Sequence, residues 1–156
     1  MNKKNKFLKR SILLIIVIIG SSLLLFSSYV LKYPNQLMTY QASLAHLPEV
    51  SEVLEIAMYE GQEEYYVAKV LLTSGKEYYY FIKDNTVEIS CPVEEIMTPE
   101  QAEQKALALV QGRSKHYYLG IYDESIIYEV LISANDYECY VILDAKTGDV
   151  LLQFEI

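Results

Sequence analysis

Hydrophobic and polar positions along the chain follow three different periods. From Ser11 to Leu31, 21 residues pass without a single charged side chain. As a helix rising ~1.5 Å per residue, that run spans roughly 32 Å, the thickness of a bilayer's hydrocarbon core. A helix also satisfies its own backbone amides, as lipid requires, so a transmembrane helix is predicted over 11–31. A helical period follows from Asn35 to Leu47, with apolar residues at Leu37, Met38, Leu44, Ala45 and Leu47 and Tyr40 between them; Pro48 ends it. The period then drops to two. Strands are predicted at Val50 to Tyr59, Tyr65 to Thr73 and Tyr78 to Lys83, with turns at Glu60-Gly61-Gln62 and Ser74-Gly75-Lys76. Asp84-Asn85 is a further turn, and Thr86 to Ser90 continues the sheet.

Cys91-Pro92 opens a short linker, after which the same order returns. Thr98-Pro99-Glu100-Gln101 is a helix start: Thr98 caps, Pro99 takes the first helical position and Gln101 completes a capping box. The helix Pro99 to Val110 is amphipathic through Ala102, Ala106, Leu109 and Val110, and Gly112 is placed to terminate it. Strands are predicted at His116 to Tyr122, Ser125 to Ser133, Tyr137 to Leu143 and Val150 to Phe154. The stretch Asp144 to Asp149 makes a tight turn, in which Asp144 and Thr147 bond turn amides and Gly148 supplies a positive φ. Each sheet needs a helix to cover one face, so the fold class is α+β. The expected organisation is residues 1–10 as a basic N-terminus, 11–31 as the span, 34–90 as a first helix-and-meander unit and 91–156 as a second.

Charge sets the direction. Five of the 13 basic residues (Lys3, Lys4, Lys6, Lys9, Arg10) precede the apolar run and all 21 acids follow it, leaving −13 on the remainder. The basic flank stays in the cytoplasm, so the chain is expected to be single-pass with residues 34–156 outside the cytoplasmic membrane. Tyr29 and Tyr33 fall at an interfacial belt, and Phe26-Ser27-Ser28-Tyr29 is a poor cleavage site, which argues for an anchor over a removed signal peptide. So acidic a domain is repelled by nucleic acid and by anionic lipid.

Candidate chemistry is sparse. Two histidines, His46 and His116, occur without a HExxH or CxxC pattern, so no metal site and no cofactor are expected. No Gly-x-Ser-x-Gly or phosphate-binding glycine loop is present, and an enzyme is not expected. Acid pairs such as Glu63-Glu64 and Asp123-Glu124 lack calcium-loop spacing. Cys91 and Cys139 permit a disulfide, but Cys139 shares a strand face with Val141 and Leu143, which favours free thiols acting as small hydrophobes. Fifteen tyrosines stand against no tryptophan. Alternation places Tyr65 and Tyr66 on opposite faces, and Tyr79 opposite Tyr78 and Tyr80. Such rings either pair across strands or form a contact surface, and Tyr65, Tyr66, Tyr79 and Tyr118 are the candidate partner contacts.

The second unit resembles the PepSY module, through Thr98-Pro99-Glu100-Gln101-Ala102, Tyr128-Glu129-Val130 and the stretch from Tyr140 to Val150. The whole chain is similar to the TseB (YpmB-like) family of Gram-positive bacteria, with Tyr59 to Val67 and Tyr78-Tyr79-Tyr80-Phe81-Ile82 matching in the first unit. That resemblance implies an anchor followed by two tandem cystatin-like and PepSY-like units. It implies a non-enzymatic role in cell wall elongation through association with a penicillin-binding protein. PepSY modules also occur in protease propeptides, so an inhibitor or folding modulator of an exported protease is the alternative. Cys91 and Cys139 are not part of the family pattern.

Overall fold

A computed structural model of the chain describes residues 36–156. The span expected at 11–31 and the basic N-terminus lie outside them, and no described helix is long and apolar enough to cross a membrane. Residues 36–45 are helical (α1), and from Tyr40 onward the chain is one compact unit.

Two antiparallel four-stranded meanders follow. The first, sheet A, has the order β1 (Val50–Glu60), β2 (Glu64–Leu72), β3 (Glu77–Lys83) and β4 (Thr86–Pro92). The second, sheet B, has the order β5 (Arg113–Tyr122), β6 (Ser125–Ser133), β7 (Glu138–Asp144) and β8 (Val150–Glu155). A single 3-10 turn, Val93–Glu95, and the helix α2 (Pro99–Leu109) connect them. The fold is α+β, as the alternation predicts.

Two details depart from the sequence pattern. The expected linker at Cys91-Pro92 is the end of β4, where Cys91 pairs with Tyr79 and Pro92 with Tyr78. A proline fits there because it is the last residue of an edge strand, where no ladder donor is missed. Gly112 does not cap α2 either. The helix ends on an extended Val110, and a side chain at 112 would strike the Ser133 carbonyl and the Ile132 methyl. Close approach, not left-handed backbone, explains that glycine.

Local signals account for the rest. Thr98 Oγ1 accepts from the Gln101 amide (3.3 Å) while Gln101 Oε1 accepts from the Thr98 amide (2.9 Å), the full capping box. Asp144 Oδ1 accepts from the amides of Lys146 (2.9 Å) and Thr147 (2.7 Å), and Gly148 takes φ +75°. The β3–β4 and β5–β6 hairpins turn on Asp84-Asn85 and Asp123-Glu124, all four at positive φ, the geometry that matches a strand pair's twist.

Buried layers on both sheets hold the unit together. On one face of sheet B, Ala102, Ala106 and Val110 sit against Val130, Ile132, Val141 and Leu143; the alanines let the helix come close. Cys91 and Cys139 belong to this core as free, buried thiols. The opposite face of sheet B meets sheet A through Tyr59, Tyr65, Val67 and Phe81 against Ile121, Ile127 and Ile142. Sheet A's outer face receives Tyr40, whose ring lies 4.2 Å from Tyr66, and the buried Leu44.

Candidate functional site

The chemistry-bearing side chains gather where the sheets meet. Tyr59, near the end of β1, lays its ring against Gly120 of β5, where any Cβ would collide with it. Its Oη donates to Glu129 Oε2 at 3.3 Å, across 70 positions of sequence. Glu129 stands mid-β6 on the face turned to sheet A, paired across the ladder with Tyr118. Burial raises its carboxyl above the ordinary range; the Tyr59 hydroxyl and His116 offset this only in part. Burial, then the Glu129 charge, raises the Tyr59 phenol. The pair is a half-buried acid holding a neutral hydroxyl, which fixes the two sheets in register with each other.

Beside it lies a cleft of about 100 Å³, lined by Glu55, Lys69, Tyr79, Tyr117, Tyr118 and Tyr128 among others. Tyr128 serves the fold there, its Oη donating to the Met97 carbonyl at 2.9 Å and its ring standing edge-on to Tyr117 at 6.4 Å. Lys69 is held by Glu77 at 2.6 Å. Tyr79 is half-buried, and burial pushes its phenol up. Tyr118 is 41% exposed at the same cleft, with the His116 ring 4.9 Å away.

A second, wider concavity of about 350 Å³ opens beside the β1–β2 and β5–β6 turns, with Gln62, Glu63, Tyr65, Asp123 and Glu124 on its walls. The Tyr65 hydroxyl is shared between Glu88 (3.0 Å) and Glu63 (3.3 Å), and Lys83 reaches Glu63 at 2.7 Å. Burial, reinforced by Glu88, pushes the Tyr65 phenol up to about 12, so it stays a donor at any physiological pH.

Of the four tyrosines singled out as partner contacts, Tyr79 and Tyr118 share the inter-sheet cleft. Tyr65 and Tyr66 do not offer docking surface. They are 5% and 2% exposed, because sheet A is covered on both faces, by sheet B against Tyr65 and by the α1 end of the chain against Tyr66. Alternation separates the two rings correctly, but it does not reveal that both sides are filled. Tyr59 and Glu129 enter the sequence reading through the family resemblance alone, not as contacts, and Gly120 does not enter it. An isolated glycine in a strand, such as Gly120, is the one local signal of such a close approach.

The arrangement offers binding surface more than reactive groups. Burial pushes both thiols up, the opposite of an activated nucleophile. Among the described residues no three His, Cys, Asp or Glu side chains are placed to hold a metal ion.

Comparison with known proteins agrees with this organisation. Residues 96–154 match the PepSY family model, described as peptidase propeptide and YPEB domain. The YpmB protein from Bacillus subtilis has the same fold, with a TM-score of 0.66 over 76% of this chain and 96% of that one, at 18% identity. A protein described as a lipoprotein (CD1622) from Clostridium difficile 630 is more distant, with a TM-score of 0.41 over 67% of this chain and 82% of that one, at 19% identity. No curated protein sequence matches the chain.

Proposed function

Because residues 96–154 match the PepSY model and the chain shares the YpmB fold, we propose that it is a non-enzymatic, membrane-anchored regulator of cell wall elongation. In this reading residues 34–156 stand outside the cytoplasmic membrane and bind a penicillin-binding protein or another wall-synthesis enzyme. The observation that carries the reading is that the likeness to YpmB takes in most of the chain, beyond the PepSY half. The charge pattern supports it: a basic flank, an uncharged run, then an acidic remainder suited to protein partners over nucleic acid or anionic lipid. Anchoring confines both partners to one surface and raises their effective concentration, so a modest interface suffices.

Recovery of the intact protein from solubilised membranes tests this. Co-purification of a wall-synthesis enzyme is the expected result, and its repeated absence would count against the reading. A tag after Ile156 should be open to protease on whole protoplasts; protection until lysis would reverse the proposed orientation. The peptidase-propeptide description of the matched family favours a second reading, in which the chain inhibits an exported protease or assists its folding. Unchanged activity of secreted proteases on adding the full chain in detergent would argue against it.

A further inference from the structure

Four strands end the two sheets, and three of them are guarded. β1 carries Glu52, Glu55 and Glu60 and two register breaks. β4 carries Glu88, Pro92 and one break in its pairing with β3. β5 carries Arg113, Lys115 and one break. Charges, proline and bulges of this kind keep an open edge from pairing with another chain. β8 is different. Its irregularity lies at the turn end, and from Thr147 to Ile156 there is neither a basic residue nor a proline. Val150, Leu151, Leu152 and Phe154 are each 37–44% exposed, and Ile156 is 64% exposed.

The backbone of that edge is ready for a partner strand. Glu138 and Ile156 exchange both hydrogen bonds, at 3.2 and 2.8 Å. Antiparallel alternation then turns Phe154 and Leu152 toward β7, opposite Tyr140 and Ile142. The N–H and C=O groups of Gln153 and Glu155 therefore point to the open side. The Tyr140 and Phe154 rings stack at 5.2 Å and stiffen the strand that presents them.

We propose that β8 receives an extended segment of a partner protein as a ninth strand, one with alternating apolar residues and basic residues at its ends. Main-chain bonds to Gln153 and Glu155 supply the affinity, and the exposed Leu152 and Phe154 select apolar side chains. The charges choose the occupant. Asp149 and Glu155 flank the edge with no base between them, and the chain beyond residue 31 carries −13. A second copy of this chain and an anionic lipid surface are both repelled, whereas basic ends are attracted. The proposal concerns how a segment is held and does not depend on the partner being a wall-synthesis enzyme.

Fluorescence anisotropy on the full chain in detergent micelles tests it, with a labelled heptapeptide of alternating valine and threonine and a lysine at each end. Saturable binding is expected, weaker by at least about tenfold when glutamates replace the lysines or when the edge-facing amides are N-methylated. Gln153→Pro should give the same loss without a lost ladder bond, since the Gln153 amide faces outward. Leu151→Lys, a substitution on an exposed side chain, is the second variant should the proline perturb folding. Binding that both variants leave intact would overturn the proposal. So would β8-dependent dimerisation in sedimentation, which would make the occupant a second copy, or β8-dependent binding to phosphatidylglycerol vesicles, which would make it lipid.

Discussion

Sheets A and B share strand order, strand sense and the same two-residue turn with both central residues at positive φ, yet they are covered in different ways. Sheet B lies under a helix with two fully buried alanines, and its core there is aliphatic and close-packed. Sheet A is filled with more rings: Tyr66, Ala68, Val70, Tyr80 and Ile82 are buried on its outer face, and Tyr59, Tyr65, Val67 and Phe81 pack on sheet B. The difference teaches that sheet A supplies most of the rings in the layer the two sheets share. The half that matches the PepSY model has a largely aliphatic core under α2, whereas sheet A fills the layer shared between the sheets with rings.

Breaking that shared layer should have the largest effect. Phe81→Ala removes a ring that is fully buried between the sheets, and we expect a loss of about 3–5 kcal/mol in denaturant unfolding. Hydrogen exchange should show sheet A opening first while the amides of β6 and β7 keep their protection. Equal loss in both sheets would erase the proposed asymmetry. Gly120→Ala attacks the same layer from the other side, driving a methyl into the Tyr59 ring, and should cost about 1–3 kcal/mol.

The two turns sharpen the comparison. Asp84-Asn85 ends in a residue that tolerates the left-handed region, whereas Asp123-Glu124 places a glutamate there at φ +62°. Glu124→Gly should therefore stabilise the protein by about 0.5–1 kcal/mol, and Asn85→Gly by less, as thermal midpoints would show. The smallest effect concerns Glu129. Its carboxyl is raised in the folded state by burial, so the fold binds that proton more tightly than the unfolded chain does. The associated stability is complete below the unfolded carboxyl range and is lost as pH rises through the folded value. Glu129→Gln keeps an acceptor for Tyr59. It should be more stable than the parent at neutral pH, with the gap closing toward pH ~4. A gap that widened on acidification would contradict this.

Much of the architecture was legible in the chain because its signals are local. Alternation located all eight strands, and the capping box at Thr98 and the Asp144 turn were read from neighbours three residues apart. What local patterns miss is the layer on the other side. Tyr65 and Tyr66 look like surface because one strand cannot report that both of its faces are covered. The Tyr59–Glu129 bond joins residues 70 positions apart and leaves no periodic trace. β8 is hidden for the opposite reason. Its run of Val150, Leu151 and Leu152 reads as core, yet all three side chains are exposed at a sheet edge.

The contrast between a guarded and an unguarded edge also gives the most direct test of the account. A photo-crosslinking amino acid at Gln153 on β8 is compared in living cells with one at Glu52 on β1, and the captured proteins are identified. The account predicts that a wall-synthesis enzyme is captured from position 153 and not from position 52. Capture from both positions alike, or from neither, would contradict it.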